Sequence, residues 1–317
     1  MTRPNITHEG VVMRTGFLCG VVAASLMVST PQRAVGQLYD DFNAATHLID
    51  VNKWGGFETE GRGAEAHRRI DAGKLRITAR GAGLLAATPT GRIFSDFGLY
   101  HPNPDSVTLL QATIEVVDFD AVSCPGNSTP SDARAIVRGN FFNSGTPTPG
   151  SFLNDVIAGI QLIRRANAPA NTVAVEAFAF RCTNATCATF VNLTPVLTLG
   201  TPLACPGRIC PPVTVRVTWE KAAHRFRFLR VGATEQIMPY ALADANFASR
   251  TSRTLSVAPV LAACTAAAGR KTASMDALFD NVIANGNPGA NVDALFVDEI
   301  DAIDLGELSG PGEAPVP

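Results

Sequence analysis

The chain has 317 residues, with 26 lysines and arginines against 28 aspartates and glutamates, giving a formal net charge of −2 at pH 7. That balance carries no electrostatic footprint for a nucleic-acid partner. The length, once a leader is set aside, suits one large all-β domain.

The leader is residues 1–36. Arg14 precedes an apolar run from Phe17 to Val28 that is too short to span a bilayer as a helix. Polar Ser29 to Arg33 follows, then Ala34-Val35-Gly36, with small residues at the positions signal peptidase requires, so cleavage falls before Gln37. A start at Met13 gives a leader of ordinary length. No other stretch is apolar for long enough to cross a membrane. The expected location is therefore outside the cytoplasm: periplasmic, cell-surface or extracellular.

Residues 37–290 read as a β-sandwich domain. It opens on the acidic-aromatic segment Leu38 to Phe42 and closes on a similar one, Leu278 to Val282. Between them the dominant period is two. Leu75 and Ile77 alternate with Lys74, Arg76 and Thr78, and Leu110, Ala112, Ile114 and Val116 alternate with polar neighbours. Strands are expected over Ala133 to Phe142, Val156 to Arg164, Thr172 to Arg181 and Thr189 to Leu199. Val213, Val215, Val217 and Trp219 share one face, and the phase resumes at Phe226 and Phe228 after Lys221-Ala222-Ala223, which reads as a hairpin. Leu255 to Ala263 and Ala273 to Ile283 complete the set. Strands with turns between them, rather than alternating strands and helices, indicate an all-β sandwich or barrel.

Cys19 leaves with the leader, and the mature chain keeps Cys124, Cys182, Cys187, Cys205, Cys210 and Cys264. An even number in an exported chain predicts disulfides. Cys182 with Cys187 and Cys205 with Cys210 repeat one spacing around turn-forming residues, so each closes a local loop and leaves Cys124 to meet Cys264 across the fold. Zinc bound by the two close-spaced pairs is the rival reading, without a histidine at ligand spacing.

Residues 291–317 form an acidic tail. Val292, Leu295, Phe296, Ile300 and Ile303 fit a helix-like stripe, and the Gly-Pro-rich end from Ser309 reads as disordered.

Tyr39-Asp40-Asp41-Phe42, Asn52-Lys53-Trp54 and Phe279-Asp280-Asn281-Val282 together resemble exported bacterial proteins of the concanavalin A-like lectin and glucanase superfamily, including laminin-G-like jelly rolls. The resemblance implies two stacked antiparallel sheets with the terminal strands side by side. It also implies one of three functions hosted by that sandwich: glycan binding, glycoside hydrolysis, or a structural envelope or matrix role without a small ligand. The superfamily's hydrolases carry Glu-x-Asp-x-x-Glu on a strand, and the nearest match is Glu299-Ile-Asp301-Ala-Ile-Asp304. It ends in aspartate and sits in the acidic tail, so a solvated acidic face is the plainer reading. Tyr100, Tyr240, Phe141 and Phe247 are candidate sugar platforms, each also readable as packing. Asp40, Asp41 and Asp280 could gather at adjacent terminal strands around a structural calcium ion, or instead cap strand ends and turns. The sequence favours an exported, non-catalytic binding module with a glycan as its partner.

Overall fold

The computed structural model describes residues 36–43, 48–59, 64–102 and 104–285. Most of the leader and all of the acidic tail, including Glu299, Asp301 and Asp304, lie outside the described residues. The strands in chain order are β1 (Gln37–Asp40), β2 (Gly55–Thr59), β3 (Ala64–Asp71), β4 (Lys74–Ala82), β5 (Arg92–Phe94), β6 (Asp96–Tyr100), β7 (Leu109–Ala121), β8 (Asp132–Asn143) and β9 (Asp155–Arg165). They continue as β10 (Thr172–Cys182), β11 (Phe190–Asn192), β12 (Leu197–Thr198), β13 (Leu203–Ala204), β14 (Val213–Glu220), β15 (Arg225–Arg230), β16 (Gln236–Pro239), β17 (Ser252–Ala262) and β18 (Thr272–Ala284). No helix among the described residues is long and apolar enough to cross a membrane.

The strands form a two-sheet antiparallel jelly-roll sandwich. The first sheet runs β16-β15-β14-β7-β18-β4-β3, with β1 also on β18. The second runs β11-β10-β9-β8-β17-β6-β2, with β12 and β13 alongside β10 and β5 alongside β17. The terminal strands are neighbours, Gln37 facing Ala284 and Leu38 facing Ile283.

Side-chain alternation builds the core. On β14, Val213, Val215, Val217 and Trp219 point inward while Thr214, Arg216, Thr218 and Glu220 stay partly wet. Leu75, Ile77, Ile114 and Phe279 from the first sheet meet Val137, Ile160, Leu162 and Leu255 from the second, all fully buried. A bulge in β8 between Asn140 and Phe142 turns both Phe141 and Phe142 inward, where Phe142 stacks on Trp219 with ring centroids 5.5 Å apart. β17 begins three residues earlier than the apolar run from Leu255 suggests, because Arg253 is buried with it. Its guanidinium lies 3.9 Å from the Phe141 ring and donates to the carbonyls of Val107, Asn140 and Ser252. The expected strand over Thr189 to Leu199 is split into β11 and β12, with Pro195, which has no amide to give a ladder, between them.

Three disulfides join Cys124 to Cys264, Cys182 to Cys187, and Cys205 to Cys210, with Cα separations of 5.2, 4.8 and 4.2 Å. The first ties the connection after β7 in one sheet to the connection after β17 in the other.

Candidate functional site

The middle of the second sheet's outer face is largely buried, while its flanks stay partly exposed. Its register aligns Phe57, Gly98, Ser256, Ile136, Gln161, Glu176 and Thr198 in one row across the strands. Tyr100, Thr254, Arg138, Gly159 and Phe178 form the next row. Ile136, Ile163, Ala258 and Val260 point away from the core cluster, yet none is more than 2% exposed. Arg138 passes from β8 over β17 to pair with the fully buried Asp96 on β6.

A second polar chain crosses β8, β9 and β10. Arg134 donates Nε to Asp132 Oδ1 at 2.5 Å and Nη2 to Asp132 Oδ2 at 2.9 Å, and its Nη1 reaches Gln161 Oε1 at 3.3 Å. Gln161 donates to Glu176 at 3.2 Å, and Arg165 grips the same carboxylate through two bonds of 2.6 and 2.7 Å. Bidentate pairs of this kind fix both partners in orientation as well as position. The hydrogen bonds from Arg165 to Glu176 raise the arginine's pKa despite its burial, so its charge is permanent. Four buried atoms of the face, Asp96 Oδ1, Arg138 Nε, Thr254 Oγ1 and Ser256 Oγ, make no hydrogen bond among the described residues. Folded proteins leave few such groups.

Aromatic rings flank this polar strip. Phe178, Phe180 and Phe190 form a row on the β10 and β11 side, with successive ring centroids 5.8 and 4.7 Å apart, and Phe190 is 45% exposed. Phe178 lies over Gly159, where a Cβ would come within 2.8 Å of the ring and 2.6 Å of Arg138 Cβ. On the other flank Phe57 approaches Gly98, where a Cβ would sit 2.9 Å from the ring and 2.2 Å from the Leu255 carbonyl oxygen. Tyr100, half-buried, stands beside it in the next row. Glycine at both positions keeps the floor low between the rings.

The outer face of the first sheet differs. Lys74 pairs with Glu115, Arg76 with Asp71 and Asp276, and Arg227 with Glu220 and Glu235, a web of opposite charges without an aromatic row. Such pairs keep a sheet face solvated.

The other residues singled out by sequence are dispersed. Phe141 is core, Phe247 is 52% exposed, and Tyr240 accepts from Trp219 Nε1 at 2.6 Å while donating to Asp244 at 2.7 Å. Asp40 is buried. Its Oδ2 accepts from Trp54 Nε1 at 2.7 Å and its Oδ1 from the Phe42 amide at 2.9 Å. Asp41 accepts from the Asn43 amide, which with the Asn43 side chain lowers its pKa, and Asp280 is engaged by Asn281. These carboxylates have local donors, and no group of three or more His, Cys, Asp or Glu among the described residues could hold a metal ion.

No protein-family model matches the chain, and no curated protein sequence matches it either. Similar solved structures include a GlcNAcα1-4Gal-releasing endo-β-galactosidase from Clostridium perfringens, at 8% identity and a TM-score of 0.38, covering 77% of this chain and 61% of that one. The chain thus spans less than two thirds of that enzyme's length. A Bacillus subtilis protein of unknown function with a galectin-like fold is similar at 11% identity and a TM-score of 0.32, covering 77% of this chain and 94% of that one. The carbohydrate recognition domain of Emp47p is similar at 12% identity and a TM-score of 0.30, with 80% and 99% covered.

Proposed function

We propose that this chain is an exported, non-catalytic module that binds a glycan along the outer face of its second sheet. The observation that carries the reading is the strip of buried hydrogen-bonding groups around Arg138, Ser256 and Gln161, flanked by Phe178, Phe180 and Phe190 on one side and by Phe57 and Tyr100 on the other. A saccharide offers C–H faces to aromatic rings and hydroxyls to fixed polar groups, which is the division of labour this face provides. Three of its carboxylates, on Asp96, Asp132 and Glu176, each bond an arginine, an arrangement suited to holding and orienting a ligand. The three disulfides support export, because such bonds persist in oxidising compartments.

The test is binding of purified protein to a glycan panel, followed by titration of the strongest ligand into Phe178→Ala and Phe180→Ala. Each ring's loss should weaken binding by about tenfold, the worth of one aromatic contact plus its buried area. Binding that is unchanged in both variants, with the fold intact, places the ligand elsewhere.

A further inference from the structure

At the end of this face formed by β5 and the starts of β8 and β10, three guanidiniums share two carboxylates. Asp132 is matched by Arg134 and Glu176 by Arg165, each through two hydrogen bonds. Arg92, the first residue of β5, lies 3.6 Å from Asp132 Oδ2, and its side chain is 39% exposed. At that separation the contact is an ion pair rather than a hydrogen bond. Asp155, another acid on the outer phase of β9, sits at the opposite end of that strand and is engaged by Asn143 and by the amides of Ser249 and Arg250. The charge on Arg92 is therefore poorly compensated. Burial and the like charges of Arg134 and Arg165 hold its pKa below the usual guanidinium range, with Asp132 opposing them in part.

A half-exposed guanidinium at the edge of a sheet, backed by two arginines held rigid by bidentate partners, is built to accept an oxyanion. The planar fork matches a carboxylate or a sulfate through paired hydrogen bonds. Resting on the glycan-binding reading, we propose that Arg92, with Arg134 and Arg165, forms an oxyanion subsite, so that the preferred ligand is an acidic glycan whose carboxylate or sulfate ester docks at the β5 end of the face.

Affinity electrophoresis through gels containing polygalacturonate, a sulfated galactan or a neutral β-glucan tests this with the full mature protein. The wild type is expected to be retarded more by at least one acidic polymer than by the neutral one, and the difference should vanish in about 1 M salt. Retardation by polygalacturonate alone identifies a carboxylate, by the galactan alone a sulfate, and by both a general oxyanion subsite. Arg92→Met should weaken acidic binding at least tenfold, as loss of a charge-assisted hydrogen bond implies, and leave neutral binding unchanged. Arg92→Lys, which keeps the charge without the fork, should fall between them; it also serves if Arg92→Met fails to fold. Equal binding of acidic and neutral polymers, or full acidic binding by Arg92→Met, overturns the oxyanion subsite while the glycan reading stands. No retardation by any polymer, together with an empty glycan panel, overturns both.

Discussion

The Cys124–Cys264 disulfide should dominate the stability of this fold. It closes a loop with a sequence separation of 140 residues, which contains β8 to β17 and hence most of the ligand face, whereas each of the other bridges closes a separation of 5. In the chain-entropy account, a cross-link of the longer span restricts the unfolded ensemble by about 5 kcal/mol and one of the shorter span by about 2 kcal/mol. A fair comparison replaces Cys124 with Cys264, and separately Cys205 with Cys210, by alanine. All four sulfurs are buried, with at most 3% exposure, so the packing loss is similar and the loop term is isolated. Urea unfolding at neutral pH reads the result. The Cys124/Cys264 variant should lose about 3 kcal/mol more than the Cys205/Cys210 variant, and it alone should show a larger dependence on urea, because only its unfolded chain expands. Equal losses, or a larger loss from the short loop, would refute loop entropy as the cause.

Three further outcomes follow from particular contacts. Arg138→Met leaves the carboxylate of Asp96 buried without its cation, so it should cost about 3 to 5 kcal/mol in urea, and adding Asp96→Asn should recover much of that; strict additivity of the two changes would contradict the pairing. Tyr39 and Tyr240 have phenol pKa values raised above the ordinary 10.0, chiefly by burial, so the stability they contribute is complete below about pH 10 and is lost as pH rises beyond it. The thermal midpoint should fall in that alkaline range, less steeply in Tyr39→Phe; a flat profile to pH 11 would refute the assignment. Calcium at about millimolar concentration, compared with chelator, should leave the midpoint unchanged because Asp40, Asp41 and Asp280 already accept local hydrogen bonds, and a rise would show that they are recruited to an ion.

The long strands were legible because one phase of each is apolar. Leu110 to Val116, Val213 to Trp219 and Phe226 with Phe228 fall on the core side as their alternation requires. Among the strands that alternation missed, those of the second sheet's ligand face are short or broken by glycine: β2 begins Gly55-Gly56, β6 holds Gly98, and β5 has three residues; β3, eight residues long, was missed because its sequence Ala64-Glu-Ala-His-Arg-Arg-Ile-Asp71 has no continuous apolar phase. β5 and β6 carry Arg92 and Asp96, which had no address in the sequence, and Tyr100, which was a candidate platform only as an isolated aromatic. The β10 side of the face had an address. On Thr172 to Arg181 the small residues Ala177 and Ala179 face the core, which leaves Phe178 and Phe180 on the outward phase. Large apolar residues opposite the core phase were a readable signal of a covered or binding face. What no alternation reveals is which outward residues meet: cross-strand register alone sets Arg138 beside Gly159 and Phe178.

Hydroxyl-radical footprinting of the full protein, with and without the strongest glycan from the panel, tests the central claim most directly, because aromatic side chains report their own exposure. Binding on the outer face of the second sheet predicts protection of Phe178, Phe180, Phe190, Phe57 and Tyr100, with the exposed Phe247 unchanged. Protection confined to Phe247, or to residues of the first sheet's outer face, would contradict it.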